Sequence, residues 1–265
     1  MSVTDIAQYI SDALALALVI RLLTLRLHKV YRVFCAFVLF DLFSSAVFFA
    51  TRSLRHPHVD YRLAWMAMRP VAWVLSLWVV YALLSAVLGQ LPGVWRLSRK
   101  LVFFSFLGAL VIALLTAEPE YLASGLAVSA DPIDRAVAFV FVMERVMFMA
   151  AILMLLAMLA FILWFPVQMP RNLAVFTIGF TVFFSTTTAL LLGRTYIPRA
   201  SLWLFSDVAT FMLAACYVYW LILINRAGET KRVRIGHSWG PTEQQRLVGQ
   251  LEAMNQALLR ASRRN

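Results

Sequence analysis

The sequence predicts an all-α, polytopic integral membrane protein, and three observations lead to that prediction. Hydrophobic residues make up 62% of the chain and charged residues only 14%, whereas soluble domains are about 25% charged. The apolar residues are grouped in seven long blocks, and a helix needs about 20 residues to cross a bilayer core. The blocks show no sustained two-residue alternation, which argues against the strands of a membrane β-barrel.

We therefore predict seven membrane-spanning helices, one for each apolar block. Their predicted ranges are 6–24, 33–51, 63–89, 101–117, 136–165, 172–193 and 201–224. The first block is expected to remain as a helix with its N-terminus outside, because the basic residues Arg26, Lys29 and Arg32 follow it and none precedes it. A signal peptide has the opposite order of charge and apolar run.

The next four blocks differ in the polar residues that interrupt them. The second contains Asp41, and the third contains Arg69 followed by Pro70, a proline that frees a backbone carbonyl and bends a helix. The fourth block has no charged residue, and the fifth contains the adjacent pair Glu144-Arg145. These charges are expected inside the bundle, because a charge in contact with lipid tails is costly.

The last two blocks have clear boundaries. The sixth follows FPVQMPRN (165–172), whose two prolines and one arginine predict a tight turn between helices. A run of hydroxyl side chains, Thr186 to Thr188, lies near its end. The seventh contains Asp207 and ends at Asn225, where the composition becomes polar and basic.

The distribution of basic residues predicts the orientation N-out and C-in. With residues 25–32, 90–100, 166–171 and 225–265 in the cytoplasm, fifteen Lys and Arg residues lie there and six lie outside. An excess of Lys and Arg on the cytoplasmic side is the usual rule. The formal net charge of +11 follows from this topology and from contact with anionic headgroups, so nucleic acid is not an expected partner.

The chain divides at Asn225 into two parts. Residues 1–224 form the predicted seven-helix transmembrane bundle, and residues 225–265 form a basic linker and a cytoplasmic amphipathic tail helix. The Gly and Pro residues of the linker are expected to resist regular structure. Thr242 and Gln245 have the spacing of a capping box at the start of the tail helix. Its apolar stripe consists of Leu247, Leu251, Met254 and Leu258.

This stripe has three alternative roles. It lies on the membrane surface, docks on the cytoplasmic face of the bundle, or pairs with a second copy of the chain. The stripe covers only about two heptads, whereas a coiled coil is indicated by three or four. The expected partners are therefore the lipid bilayer, a second copy of the chain, or the subunits of a membrane complex, contacted through lateral faces or the tail helix.

Six of the ionisable residues within the predicted spans form the candidate site. At about 1.5 Å of rise per residue, most of them lie roughly 9–14 Å below the outer surface in the predicted topology, which places four helices in one charged layer. Such residues face the bundle interior and pair with one another. The six residues are Asp12, Asp41, Arg69, Glu144, Arg145 and Asp207.

Glu144 and Arg145 are not expected to pair with each other, because adjacent helical residues diverge by about 100° and side chains meet at i+3 or i+4. We expect Glu144 to pair with Arg69, which leaves Arg145 to Asp12, Asp41 or Asp207. Four carboxylates against two arginines leave two acids in excess. Those two are either protonated or matched by a bound cation, an amine or a proton pathway. Three interpretations remain: a structural network, a ligand or sensing pocket, and ion or proton translocation.

Several functional classes are excluded by missing residues. The lysines, Lys29, Lys100 and Lys231, lie outside the spans, so a retinal Schiff base has no buried amine to form on. His56-Pro-His58 lacks a third ligand for a metal site. The sequence has no HExxH motif, no phosphate-binding glycine loop and no serine-nucleophile elbow. No enzymatic activity, cofactor or metal is predicted.

The leading functional hypothesis is a non-enzymatic heptahelical membrane protein with a sensing or receptor-like role. Its pocket would lie in the outer-leaflet charge layer, in a cytoplasmic or plasma membrane. The similarity to receptors is one of architecture alone. The second hypothesis is a structural or accessory subunit that packs laterally in a membrane assembly. The third is a carboxylate-using, proton- or ion-coupled transporter.

Overall fold

The computed structural model describes residues 3–53, 61–88, 103–104, 107–108, 111, 132–164, 168–193, 202–234 and 240–263. This part of the chain is helical apart from one pair of short strands. The elements are α1 (Val3–Thr24), a 3-10 helix (Leu27–Lys29), α2 (Arg32–Ser53), α3 (Tyr61–Leu88), α4 (Pro132–Trp164), β1 (Gln168–Pro170), α5 (Arg171–Gly193), α6 (Leu202–Leu223), α7 (Ala227–Thr230), β2 (Arg232–Arg234) and α8 (Pro241–Arg263).

The six long helices α1 to α6 agree with six of the predicted spans, and each boundary falls within four residues of its prediction. The remaining predicted span, 101–117, lies outside the described residues except for residues 103, 104, 107, 108 and 111. His56 and His58 also lie outside them.

Five of the described helices are long and apolar enough to cross a membrane, as expected of a helical membrane protein. The apolar part of α6, Asp207–Leu223, is slightly shorter. Large apolar side chains on the outer faces are exposed, for example Ile222 at 69% and Val74 at 63%. Such outward faces suit contact with lipid tails. The five helical stretches are Ile6–Thr24, Arg32–Thr51, Arg62–Leu88, Phe139–Trp164 and Arg171–Gly193.

The long helices form a ring in chain order, and α6 packs against α1 to close it. Helices α1, α3, α4 and α6 begin at one end of the ring, which we call the upper end. Helices α2 and α5 begin at the opposite, lower end. Contacts between side chains show that α2 and α5 are parallel: Tyr31, just before α2, and Phe34 both contact Phe176 near the start of α5, and Phe37 contacts Phe183 further along it.

Consecutive helices α3 and α4 run in the same direction. Trp65 of α3 packs on Phe141 of α4, with ring centroids 4.9 Å apart. One turn later along both helices, Arg69 contacts Glu144. The chain therefore returns from the lower end to the upper end between residues 88 and 132.

The lower half of the ring interior is filled by an aromatic cluster that we call the aromatic plug, made of Phe34, Phe176, Phe180 and Trp220. The Phe34 and Phe176 rings are 4.2 Å apart, and the Phe180 and Trp220 rings are 4.8 Å apart. Trp220 is fully buried. Its position near the end of the seventh predicted span suggests an interfacial tryptophan, and that expectation is wrong because the ring turns into the bundle.

The linker after α6 is more regular than its composition suggests. Strand β2 pairs antiparallel with β1, and Met169 lies opposite Val233. The prediction that this stretch resists regular structure is therefore wrong for residues 227–234. The partner of β2 is the turn before α5, which is distant in sequence, so local composition could not reveal it. Helix α8 begins at Pro241, one residue before Thr242, so the capping-box threonine lies inside the helix.

Candidate functional site

Polar side chains from all six long helices lie at one level of the ring, in a zone that we call the polar layer. Contacts between helices align their levels. Gln8 of α1 bonds Ser45 of α2, and Arg69 of α3 bonds Glu144 of α4. Phe148 of α4 contacts Phe184 of the antiparallel α5, so Glu144 and Thr188, each one turn above these rings, are level with each other.

Helix α6 joins the same level through its contact with α5. The Cys216 thiol donates to the Gly179 carbonyl. Asp207 lies nine residues before Cys216, and Thr188 lies nine residues after Gly179. The two helices are antiparallel, so Asp207 and Thr188 are at the same height.

An ion pair between Arg69 and Glu144 lies in the polar layer. Arg69 Nη1 lies 2.8 Å from Glu144 Oε1, and the two side chains are 33% and 6% exposed. The guanidinium also stacks on the Trp65 ring at 4.8 Å. The pairing of Glu144 with Arg69 expected from the sequence is therefore present, and it links α3 to α4.

Uncharged side chains donate hydrogen bonds to Asp41 and Asp12. The Tyr217 hydroxyl of α6 donates to Asp41 Oδ2 at 2.7 Å, and the Gln8 amide donates to Asp12 Oδ1 at 3.0 Å. Asp41 also interacts electrostatically with Asp12 and Arg69. Asp12 and Arg69 therefore both lie within electrostatic range of Asp41.

Arg145 and Asp207 are also buried, at 3% and 9% exposure. The carboxylate that pairs with Arg145 stays a prediction. Asp207 Oδ1 is buried and has no hydrogen-bond partner among the described residues. Four other side-chain atoms of the polar layer share this property, and each belongs to a different helix: Ser11 Oγ, Ser44 Oγ, Trp73 Nε1 and Thr188 Oγ1.

These unpartnered atoms indicate what the polar layer can do chemically. A buried polar group without a partner lowers the stability of the fold by about 1–3 kcal/mol. Five such groups, on α1, α2, α3, α5 and α6, therefore destabilise the bundle unless a ligand or water binds them. Four of the five are hydroxyl or carboxylate oxygens, which accept hydrogen bonds from a ligand or from water, whereas the Trp73 indole N–H only donates. The six charged residues of the layer comprise four carboxylates and two arginines. This excess of negative charge favours a positively charged ligand.

A second polar cluster lies at the lower end, where it binds the last carbonyls of α6. Arg171 donates to the Leu223 carbonyl at 3.0 Å, and Arg21 donates to the Ile224 carbonyl at 2.9 Å. The Asn172 amide, which is fully buried, donates to the Asn225 carbonyl and to Glu229 Oε1. Cationic and amide donors thereby satisfy carbonyls that the helix end leaves without intrahelical partners.

The same lower cluster holds the linker against the bundle. A Cβ at Gly228 would lie 2.7 Å from Asn172 Cγ, so only glycine fits between α7 and α5. Glu229 lies beside Tyr31, the residue before α2. Burial, and then the neighbouring Glu229 carboxylate, raise the pKa of the Tyr31 hydroxyl.

The stripe of the tail helix is only partly in contact with the bundle. Leu251 is 9% exposed and belongs to the buried core, and Met254 packs against that core. Leu247 is half-buried, whereas the Leu258 side chain lies outside the described residues. In this structure the stripe docks on the protein through its central part.

Sequence reasoning identified the charged residues of the polar layer and missed most of its neutral members. Tyr217 and Gln8 were not singled out, although a tyrosine or glutamine inside an apolar helix needs a partner for its polar atoms. The lower cluster around Asn172 was also missed. Its signal is weaker, since Asn172 stands at a helix boundary where polar residues are common.

Comparison of the chain with models of known protein families, with curated proteins and with solved structures finds no match.

Proposed function

We propose that the chain is a seven-span, non-enzymatic membrane protein with a sensing or receptor-like role, and that its polar layer binds a small cationic ligand. The observation that carries the proposal is the set of five buried polar atoms that have no hydrogen-bond partner among the described residues, Asp207 Oδ1 among them, level with the Arg69–Glu144 pair. A purely structural network would pair these atoms with one another.

The directions of the helices support the seven-span topology. Because α3 and α4 are parallel, the 43 residues from 89 to 131 connect the lower end to the upper end. Helix α3 has 28 residues and is about 42 Å long at 1.5 Å per residue. We propose that residues 101–117 make this return as the fourth of seven spans, with the N-terminus outside and the C-terminus in the cytoplasm.

The charge of the polar layer supports a cationic ligand. Asp12, Asp41 and Asp207 lie on three different helices, and the described hydrogen bonds of Asp12 and Asp41 come from uncharged side chains. An ammonium group donates up to three hydrogen bonds, and binding one would offset the excess of negative charge. A ligand held between α1, α2 and α6 would also change how these helices pack, which is what a sensor requires.

The aromatic plug supports binding over transport. Trp220, Phe176 and Phe180 are at most 1% exposed and fill the interior below the polar layer. A transporter needs access to its site from both sides, which would require this plug to open. The plug therefore favours a pocket that communicates with the upper end alone.

Cysteine accessibility tests the proposal. In a background with Cys35 and Cys216 replaced by alanine, Ser11→Cys, Ser44→Cys and Thr188→Cys would be treated with a membrane-impermeant trimethylammonium thiol reagent. We expect all three to react from the upper side alone, because the layer admits water and cations. Small amines such as methylamine, ethanolamine and putrescine should be screened for protection of Ser44→Cys.

The matched control is Val38→Cys, a fully buried position on the same helix as Ser44, which should not react. If none of the three layer cysteines reacts, the layer is closed and dry, and an accessory subunit that packs laterally becomes the better interpretation. Reaction from both sides of the membrane would instead favour a carboxylate-using transporter.

A further inference from the structure

A pocket of about 330 Å³ opens at the lower end of the bundle, outside the polar layer. It is lined by Arg171, Asn225, Ala227, Gly228 and Lys231. The pocket lies between the start of α5 and the linker that follows α6. In the proposed topology this is the height at which membrane helices end and lipid headgroups begin.

The walls of this pocket are held by an extensive set of hydrogen bonds. Asn225 Oδ1 accepts from the Gly228 backbone N–H at 2.7 Å, and the Arg171 backbone N–H donates to the Lys231 carbonyl at 3.0 Å. The pairing of β1 with β2 fixes the chain on either side of Lys231. The pocket is therefore formed before any ligand arrives, which lowers the entropic cost of binding.

Arg171 and Lys231 give the pocket two positive charges, and neither is paired with a carboxylate among the described residues. Within the described part of the chain, neither Arg171 nor Lys231 forms a salt bridge, and Arg171 uses only Nη1, in its bond to the Leu223 carbonyl. Glu229, the nearest acid in sequence, already accepts from Asn172 and lies beside Tyr31. Arg171 is also the first residue of α5, where the helix dipole favours an anion.

We propose that this pocket binds a phosphate group, carried by an anionic phospholipid headgroup or present as free phosphate. Arginine offers a planar fork of donors and lysine a compact charge, and both recognise phosphate oxygens. Exposed apolar residues of the adjoining helix α6, Ile222 and Val218, would lie along the acyl chains of a lipid bound at this rim. Basic pockets between membrane helices on the cytoplasmic side have this chemistry.

Thermal unfolding of the full chain in a mild non-ionic detergent tests the proposal. The midpoint would be followed during titration with dioctanoyl phosphatidylglycerol, dioctanoyl phosphatidylcholine and inorganic phosphate. We expect a saturable rise with phosphatidylglycerol, and a weaker apparent affinity by about tenfold in Lys231→Gln, which loses one charge-assisted contact. Lys231→Arg should restore binding. The matched control is Arg232→Gln, which removes the same charge at the next, exposed residue.

The outcomes separate a pocket from diffuse attraction. Saturation by phosphatidylglycerol that depends on Lys231 and not on Arg232 supports a headgroup site. The same dependence with inorganic phosphate alone supports the pocket and identifies free phosphate as sufficient. Equal weakening by Lys231→Gln and Arg232→Gln, an equal response to phosphatidylcholine, or no saturable response to any of the three would overturn the proposal.

Discussion

At the scale of single residues, the Arg69–Glu144 pair shows how the bundle accommodates charge. Glu144 is almost fully buried, whereas Arg69 remains 33% exposed and stacks on Trp65. The pair therefore joins a desolvated carboxylate to a cation that keeps part of its contact with the surroundings. Its main effect is to keep Glu144 from being an isolated buried charge, which is costly.

This pair makes a testable prediction for stability. Arg69→Met should lower the free energy of unfolding by about 3 kcal/mol, the lower end of the range for broken buried pairs, because Arg69 is partly exposed. Adding Glu144→Gln should recover part of that loss by removing the uncompensated carboxylate. Thermal unfolding in detergent measures both changes. Lys29→Met, which removes a cation at an exposed position, should change little, and an equal effect there would refute the pairing as the cause.

Gly179 is a second residue at which the packing requires one particular side chain. A Cβ at this position would lie 2.7 Å from Trp220 Cε2. The Trp220 ring cannot move aside freely, since Phe34 and Phe180 pack on it with centroids 5.0 and 4.8 Å away.

We therefore expect Gly179→Ala to destabilise the bundle by about 1–3 kcal/mol, as overpacking does. Gly249→Ala is the control, because a Cβ there meets nothing within 4 Å and alanine is the better helix former by about 1 kcal/mol. Thermal unfolding of the two variants should shift in opposite directions. A stable Gly179→Ala would mean that the aromatic plug is loosely packed.

At the scale of elements, the tail helix α8 depends on what it docks against. Its 23 residues carry one narrow apolar stripe, and an isolated helix of this kind is marginal in water. In the structure the Leu251 side chain of α8 is buried in the core. Order in the tail should therefore depend on this docking more than on local propensity.

Limited trypsin digestion tests that dependence. Leu251→Asp should release α8 and increase cleavage at Arg246 and Arg260, because the freed helix unfolds. Val248→Asp, at an exposed position one turn earlier (39% exposed), introduces the same charge and should leave the cleavage rate near that of the unmodified chain. Equal protection in both variants would show that lipid or a second copy, and not the bundle, holds the helix.

At the scale of the whole molecule, the helix directions constrain the path of the chain. The parallel pair α3 and α4 requires a return between them, and α6 closes the ring against α1. The residues in the ring interior differ along its axis. The polar layer lies toward the upper end and the aromatic plug lies toward the lower end. This asymmetry suits a pocket reached from one side.

The seven-span topology predicts which loops share a side of the membrane. In the background lacking Cys35 and Cys216, Ser98→Cys and Ser238→Cys should react with an impermeant thiol reagent only from the cytoplasmic side. Ser124→Cys should react only from the opposite side. Reaction of Ser98→Cys and Ser124→Cys from the same side would exclude a crossing at residues 101–117 and with it the seven-span arrangement.

Much of the fold follows from local sequence. An apolar run long enough for a bilayer can satisfy its backbone hydrogen bonds only as a helix, so six predicted spans agree closely with α1 to α6. The polar layer was foreseen through its charges for the same reason, since a charge in a span points inward. Even the pairing of Arg69 with Glu144 could be reasoned from depth and from the divergence of neighbouring side chains.

Other features were decided by the tertiary structure alone. Tyr217 bonds Asp41, Trp220 turns inward against Gly179, and β2 pairs with the turn before α5, although the partners lie far apart in sequence. Each depends on the order of helices around the ring and on the rotation of each helix about its axis. Apolar composition determines neither the order nor the rotation of the helices, because lipid tails and neighbouring helices are nearly equivalent surroundings for Leu, Val and Phe. The sequence alone therefore determines where the six long helices begin and end, to within a few residues, and packing between helices determines which polar groups meet.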